Sequence, residues 1–120
     1  MDDPRLFEGI WVPIEAEMDG EKAPQEFVEY AEVELAGGNY TVRFGGVAAD
    51  QGTYFFEPAG LTLAGMEGPN AGKTIPCLHR FDGEMLVVCY GLGGSRPDRF
   101  GTATGSQTYL ARYRRKVKTP

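Results

Sequence analysis

The chain has 120 residues, room for one domain spanning 1–120 with one core, because chains divide at roughly 100–200 residues per domain. Its 42 % hydrophobic and 24 % charged residues exclude disorder, collagen-like repeats and a chain built of membrane helices. A net charge of −5 argues against nucleic acid as a partner, since binding phosphate requires clustered Lys and Arg.

The charge is unevenly spread. Residues 1–60 carry 3 basic and 13 acidic side chains, whereas residues 61–120 carry 9 basic and 4 acidic. A basic nucleic-acid-binding tail is one reading of that asymmetry. The plainer one is an acidic first strand, with Glu15 and Glu17, lying beside a basic last strand, with Arg112 and Arg114, as cross-strand charge pairing favours. The longest apolar runs, such as Met85 to Cys89, are of strand length, so no membrane insertion is expected. The start, Met1-Asp2-Asp3-Pro4-Arg5, lacks the basic and apolar blocks of a signal peptide. As written, the chain is expected in the cytoplasm, and in an exported location if a leader has been removed from it.

Taken in order, Gly9 to Met18 alternates, with Val12, Ile14, Ala16 and Met18 on one face and Trp11, Pro13, Glu15 and Glu17 on the other. A buried Trp and two carboxylates do not share a face comfortably, so a bend or bulge at Pro13 is expected to switch faces. Asp19-Gly20-Glu21-Lys22-Ala23-Pro24 has turn chemistry. Phe27, Tyr30 and Ala31 then fall at helical spacing, which predicts a single helical turn plugging one barrel end.

Ala31 to Ala36 alternates, Gly37-Gly38-Asn39 reads as a hairpin turn, and Tyr40 to Phe44 returns as a strand. Further strands are expected at Gln51 to Glu57, Leu61 to Met66, Thr74 to Phe81, Met85 to Tyr90 and about Gln107 to Arg114, with a fraying tail at Lys116 to Pro120. Asp82-Gly83 is the strongest hairpin signal. Seventeen Gly and eight Pro fall largely between these segments, as in all-β proteins. Eight short strands fit a small antiparallel up-and-down barrel with at most one short helical turn, wide enough for side chains or one small ligand. A β-sandwich is the structural alternative, without the Cys…Trp…Cys spacing of the immunoglobulin kind.

Motifs that carry chemistry are few. Gly68-Pro69-Asn70-Ala71-Gly72-Lys73-Thr74 has three residues between its glycines rather than the four of a phosphate loop, and a strand-like segment follows it. A structural turn is the better reading. His79 is the only histidine, and with Cys77 and Cys89 it makes three groups, short of the four ligands of a structural zinc site. It reads as a core or rim imidazole, since no Ser or Cys nucleophile stands at a motif spacing.

A two-residue Asp82-Gly83 turn sets Cys77 opposite Val88, whereas a three-residue loop sets it opposite Cys89; free thiols are expected. Glu15 and Glu17 lie side by side on one strand rather than flanking a bond, so they read as exposed or paired carboxylates. No catalytic residue, metal site or cofactor is called for.

The Gly9-x-Trp11 start combined with an arginine on the last strand resembles the kernel of lipocalins and the wider calycin superfamily. A longer series extends the likeness: Leu6-x-x-Gly9-x-Trp11, Glu17-x-Asp19-Gly20, Gly38 to Val42, Gly72 to Pro76, Phe81-Asp82-Gly83-Glu84-x-Leu86-x-x-Cys89 and Arg96-Pro97-x-x-Phe100. It is similar to a small bacterial lipocalin-like family abundant in planctomycetes, and the likeness covers nearly the whole chain. It implies an eight-stranded calycin-type barrel, often in secreted, lipoprotein or multi-domain contexts, with no established chemistry. The lack of a leader departs from that pattern.

The kernel arginine is then Arg112 or Arg114, with Arg112 favoured because it follows Leu110 most directly, and it would stack on Trp11 beside Gly9. The function expected is non-enzymatic binding of a small, partly apolar molecule, with Arg43, Tyr54, His79 and Tyr90 as candidate lining. The alternative is a protein-interaction or inhibitor-type module using loops Gly91 to Phe100 and Gly68 to Lys73.

Overall fold

The computed structural model describes residues 4–116. A 3-10 turn, Pro4–Phe7, leads into strand β1 (Gly9–Met18), a two-residue strand β2 (Glu21–Lys22) and helix α1 (Gln25–Tyr30). Seven strands follow: β3 (Ala31–Ala36), β4 (Asn39–Phe44), β5 (Val47–Glu57), β6 (Gly60–Glu67), β7 (Thr74–Asp82), β8 (Met85–Gly91) and β9 (Thr108–Arg115). Neighbours pair antiparallel from β1 through β3 to β9, and β1 also pairs with β9. The sheet therefore closes into the expected all-β, eight-stranded antiparallel barrel, and β2 adds a short flap on β1. Closure removes the free edges that an open sheet would present.

The N-terminal 3-10 turn was not expected. Strand β5 starts at Val47, four residues before the alternating pattern is legible, because Val47, Ala48 and Ala49 are all exposed and show no inside-outside contrast. The expected fraying concerns a tail whose residues 117–120 lie outside the described segment. No described helix is long and apolar enough to cross a membrane.

The face switch in β1 is present. Register with β9 shifts between Pro13 and Glu15, leaving Ile14 as the unpaired residue. Trp11, Pro13 and Ala16 thereby face the interior while Glu15 faces out, where its carboxylate meets Arg112 at 3.1 Å. That is one of the acidic-to-basic pairs expected from the charge pattern; Glu17 stands opposite Leu110 instead and accepts a hydrogen bond from the Thr102 hydroxyl.

The same bulge decides which arginine covers the indole. Ala111 and Tyr113 point inward, so the alternation of β9 carries Arg115 to the interior side and leaves Arg112 and Arg114 on the outer wall. Arg115, not Arg112, lies over Trp11, with its Cζ 4.3 Å from the ring centroid. Arg112 instead joins Glu15 and Asp82.

Arg115 does more than stack. Its Nη1 donates to the Glu8 carbonyl and its Nη2 to the Leu6 carbonyl at 2.8 Å, while the Trp11 Nε1–H donates to the Phe7 carbonyl at 2.9 Å. These bonds hold the 3-10 turn across one end of the barrel. Phe7, fully buried, then packs on Phe56, His79 and Phe81 with centroids 4.7, 5.1 and 5.0 Å away. Gly9 has φ +132°, and a side chain there would collide with the Arg115 guanidinium, so the clamp requires glycine at this position.

The barrel wall also has a seam. Strands β6 and β7 pair only at Thr62–Pro76, Leu63–Ile75 and Ala64–Thr74. Towards the closed end they part, and the Arg96 guanidinium from the long β8–β9 loop fills the gap. It donates to the Leu61 carbonyl at 3.0 Å and the Cys77 carbonyl at 2.7 Å, and meets the Glu57 carboxylate at 2.6 Å. Carbonyls that would otherwise lack ladder partners are satisfied by one side chain.

Three substitutions test these contacts by urea unfolding followed through the single Trp. Arg115→Ala is expected to destabilise by about 1–3 kcal/mol, from the lost cation–π contact and two hydrogen bonds. Arg112→Ala, which removes a surface ion pair, should cost less than about 1 kcal/mol. A larger loss for Arg112→Ala would contradict this assignment. Arg96→Ala should cost about 2–3 kcal/mol by leaving two carbonyls unpaired, with faster amide exchange concentrated along β6 and β7.

Candidate functional site

The closed end is filled by the aromatic cluster around Phe7, yet the barrel is not filled throughout. Above Trp11 lies a cavity of about 320 Å³, within the range of roughly 300–1,000 Å³ typical of small-molecule sites. Inward-facing positions of every barrel strand build its wall. Val33 and Leu35 stand on β3, Tyr40, Val42 and Phe44 on β4, Leu61 and Leu63 on β6, and Leu86, Val88 and Tyr90 on β8. These are the side chains that alternation assigns to one face, so the period-two pattern itself produces an apolar interior.

The mouth lies at the end opposite the 3-10 turn. Helix α1 crosses it as expected, but the residue it buries is Val28 rather than Tyr30, which is 62 % exposed. Phe27 from the helix meets Phe44 of β4 at 5.1 Å between centroids, and both line the opening. On the other side Pro69 and Asn70 lean over it from the β6–β7 loop. That loop runs straight into strand β7, so the glycine-flanked segment 68–74 is a structural turn with no helix behind it.

Polar groups are few and sit on opposite walls. On β4 and β5, Asp50 is nine-tenths buried, and its Oδ2 accepts hydrogen bonds from the Tyr40 hydroxyl at 3.3 Å and the Asn70 Nδ2 at 2.8 Å. A bulge between Val42 and Arg43 leaves Ala49 unpaired and brings Asp50 inward. Gly52, whose Cβ would come within 2.6 Å of the Tyr40 ring, leaves the space across which that ring lies.

The other carboxylate oxygen, Oδ1, is buried and accepts no hydrogen bond among the described residues. An unsatisfied buried polar atom costs about 1–3 kcal/mol, more if charged. Burial, and then the neighbouring Asp50 charge, push the Tyr40 hydroxyl up to about 12.

Across the cavity, β8 and β9 contribute Tyr90, Tyr109 and Tyr113. The Tyr90 and Tyr113 hydroxyls share a hydrogen bond of 2.7 Å, and the Tyr90 and Tyr109 rings lie 5.4 Å apart. Burial raises all three well above the ordinary phenol range, Tyr109 to about 12. They are neutral donors and acceptors facing an apolar space.

Of the four candidate lining residues, the structure brings one to the cavity. Tyr90 lines it. Arg43 sits on the outer wall, because Tyr40, Val42 and Phe44 take the inward positions of β4, and it pairs there with Glu34 at 2.7 Å. Tyr54 and His79 point inward but lie towards the closed end, where Phe56 packs against both, with centroids 6.1 and 5.6 Å away, and Phe7 also touches His79. Asp50 and Asn70 escaped sequence reasoning. The only signal for Asp50 is a lone carboxylate just ahead of a strand, and a bulge that the pattern does not reveal turns it inward.

The cysteines are free and lie on opposite sides of the sheet. Register in the β7–β8 hairpin pairs Asp82 with Met85, Cys77 with Tyr90 and Cys89 with Leu78. The turn is therefore Gly83-Glu84, one residue later than Asp82-Gly83, and neither expected cross-strand partner of Cys77 is realised. Cys77 faces the core, and Cys89 faces outward beneath the Gly101 carbonyl. Burial pushes Cys77 up to about 12 and raises Cys89 as well. Among the described residues no three His, Cys, Asp or Glu side chains converge to hold a metal ion.

No protein-family model, curated protein or solved structure matches the chain.

The raised phenols and thiols give a pH signature. The folded protein holds these protons more tightly than the unfolded chain, so the stabilisation is complete below pH about 9, the ordinary thiol value, and is lost as pH rises past the ordinary phenol value of about 10 towards 12. Tyrosinate absorbance from Tyr40, Tyr90, Tyr109 and Tyr113 is expected to appear together with alkaline unfolding, not ahead of it. At pH about 8 neither thiol should react with an aromatic disulfide reagent until denaturant is added. Fast labelling of the folded protein would show that these groups are not enclosed.

Proposed function

We propose that this chain is a lipocalin-like binding module that holds a small, partly apolar molecule inside its barrel. The cavity of about 320 Å³ carries this reading. Protein interiors normally pack to crystal density with few voids larger than a water. A space of this size, walled by apolar side chains with polar groups at two places, is what a preformed ligand site requires. Its surroundings support the same reading: a clamped base, an aromatic pair at the mouth, and loops that fold over it.

An interaction module working through loops Gly91 to Phe100 and Gly68 to Lys73 is the second reading. It calls for a filled barrel with the loops free to dock. Here Arg96 ties the first loop into the β6–β7 seam, and Asn70 ties the second to Asp50. Those bonds favour the interior as the working part.

Titration with the neutral fluorophore phenylnaphthylamine tests the proposal. Saturable binding at one site per chain is expected, with quenching or a shift of emission from Trp11, which stands in the cavity wall. Val88→Phe adds a ring from the middle of β8 and should weaken binding about tenfold or more, since it fills the space that the ligand needs. The absence of saturable binding to the folded wild-type chain would overturn the reading.

A further inference from the structure

Resting on the binding-module reading, we infer that the cavity selects a small organic cation: a protonated amine on an apolar, preferably aromatic body, with Asp50 as its counter-ion. Among the described residues the lining contains one carboxylate, Asp50, and no Lys, Arg or His. A fatty-acid-like anion would meet no opposite charge there and would share the space with a like one. In a poorly solvated cavity that difference is large, because charges are weakly screened.

The carboxylate is also only half used. Tyr40 and Asn70 both donate to Oδ2, and Oδ1 has no partner among the described residues. Oδ1 is enclosed against Gly68 of the β6–β7 loop, and an ammonium group brings the several donors and the positive charge that this carboxylate lacks.

The rest of the wall agrees with a cation. Tyr40, Phe44, Tyr90 and Tyr109 line the cavity, and the faces of aromatic rings attract positive charge. The approach is acidic as well. The segment that crosses the mouth, residues 19–30, carries Asp19, Glu21, Glu26 and Glu29 against a single Lys22, a bias that raises the local concentration of cations. Asn70, on the loop that leans over the opening, holds the Asp50 carboxylate through Oδ2.

Three compounds of one skeleton test this: phenylbutylamine, phenylbutanol and phenylbutyrate, each titrated into the full chain by calorimetry and by Trp11 fluorescence. The amine is expected to bind about tenfold or more tightly than the alcohol, as a charge-assisted hydrogen bond in an apolar site provides, and the butyrate to bind weakest. Asp50→Asn should collapse the difference between amine and alcohol. If that variant does not fold, the wild-type ranking decides alone.

Equal affinity of amine and alcohol, or tightest binding by the butyrate, would overturn the cation assignment while leaving the binding module standing. Failure of all three to bind would also overturn the assignment. Phenylnaphthylamine then decides separately whether the cavity takes any ligand.

Discussion

The contact between the Arg115 guanidinium and the Trp11 indole is where the chain's two ends are joined, and the barrel's usable space follows from it. The two residues face each other across the β1–β9 pair, the seam that turns a sheet into a closed cylinder. By also binding the Glu8 and Leu6 carbonyls, Arg115 folds the N-terminal 3-10 turn under the barrel. Phe7 is then driven into the base, where Phe56, His79 and Phe81 receive it. A barrel sealed at one end in this way has a floor, and a floor is what makes the space above it a pocket rather than a channel.

The upper half is built on different terms. Local departures from regular strand geometry put the few polar groups where they are. One bulge in the β4–β5 pair brings Asp50 inward, and Gly52 makes room for the Tyr40 ring that reaches it. Asn70 arrives from a loop whose backbone is pressed so closely on Gly65 that a side chain there would not fit. On the far wall, the Tyr90–Tyr113 hydroxyl pair is satisfied internally and leaves an aromatic surface. The result is an apolar space with one acidic corner.

Arg96 shows how the wall tolerates irregularity. Strands β6 and β7 separate below Thr62 and Pro76, and a guanidinium from a distant loop replaces the missing ladder bonds. The planar fork of arginine suits this role, since it can donate to two carbonyls and a carboxylate at once. The long β8–β9 loop is thereby anchored low on the outside of the barrel while its far end binds the mouth near Glu17 and Asp19 through Thr102 and Gly105.

Much of this was legible in the residues themselves. Alternation with period two and glycine-marked turns determined the all-β class and the eight barrel strands, and the conflict between Trp11 and Glu15 on one face pointed to a bend or bulge near Pro13. Those features are local, because they depend on backbone geometry and on burying apolar side chains. What only the tertiary structure decided was register and height. A shift of one residue changes which side chain points inward, which is why Arg115 rather than Arg112 covers the indole and why the hairpin turn falls at Gly83-Glu84. Height along the barrel axis separated Tyr90, which meets the cavity, from Tyr54 and His79, which meet the base. Asp50 and Asn70 come together across a bulge and a loop, a juxtaposition of residues 20 positions apart that no short-range pattern encodes.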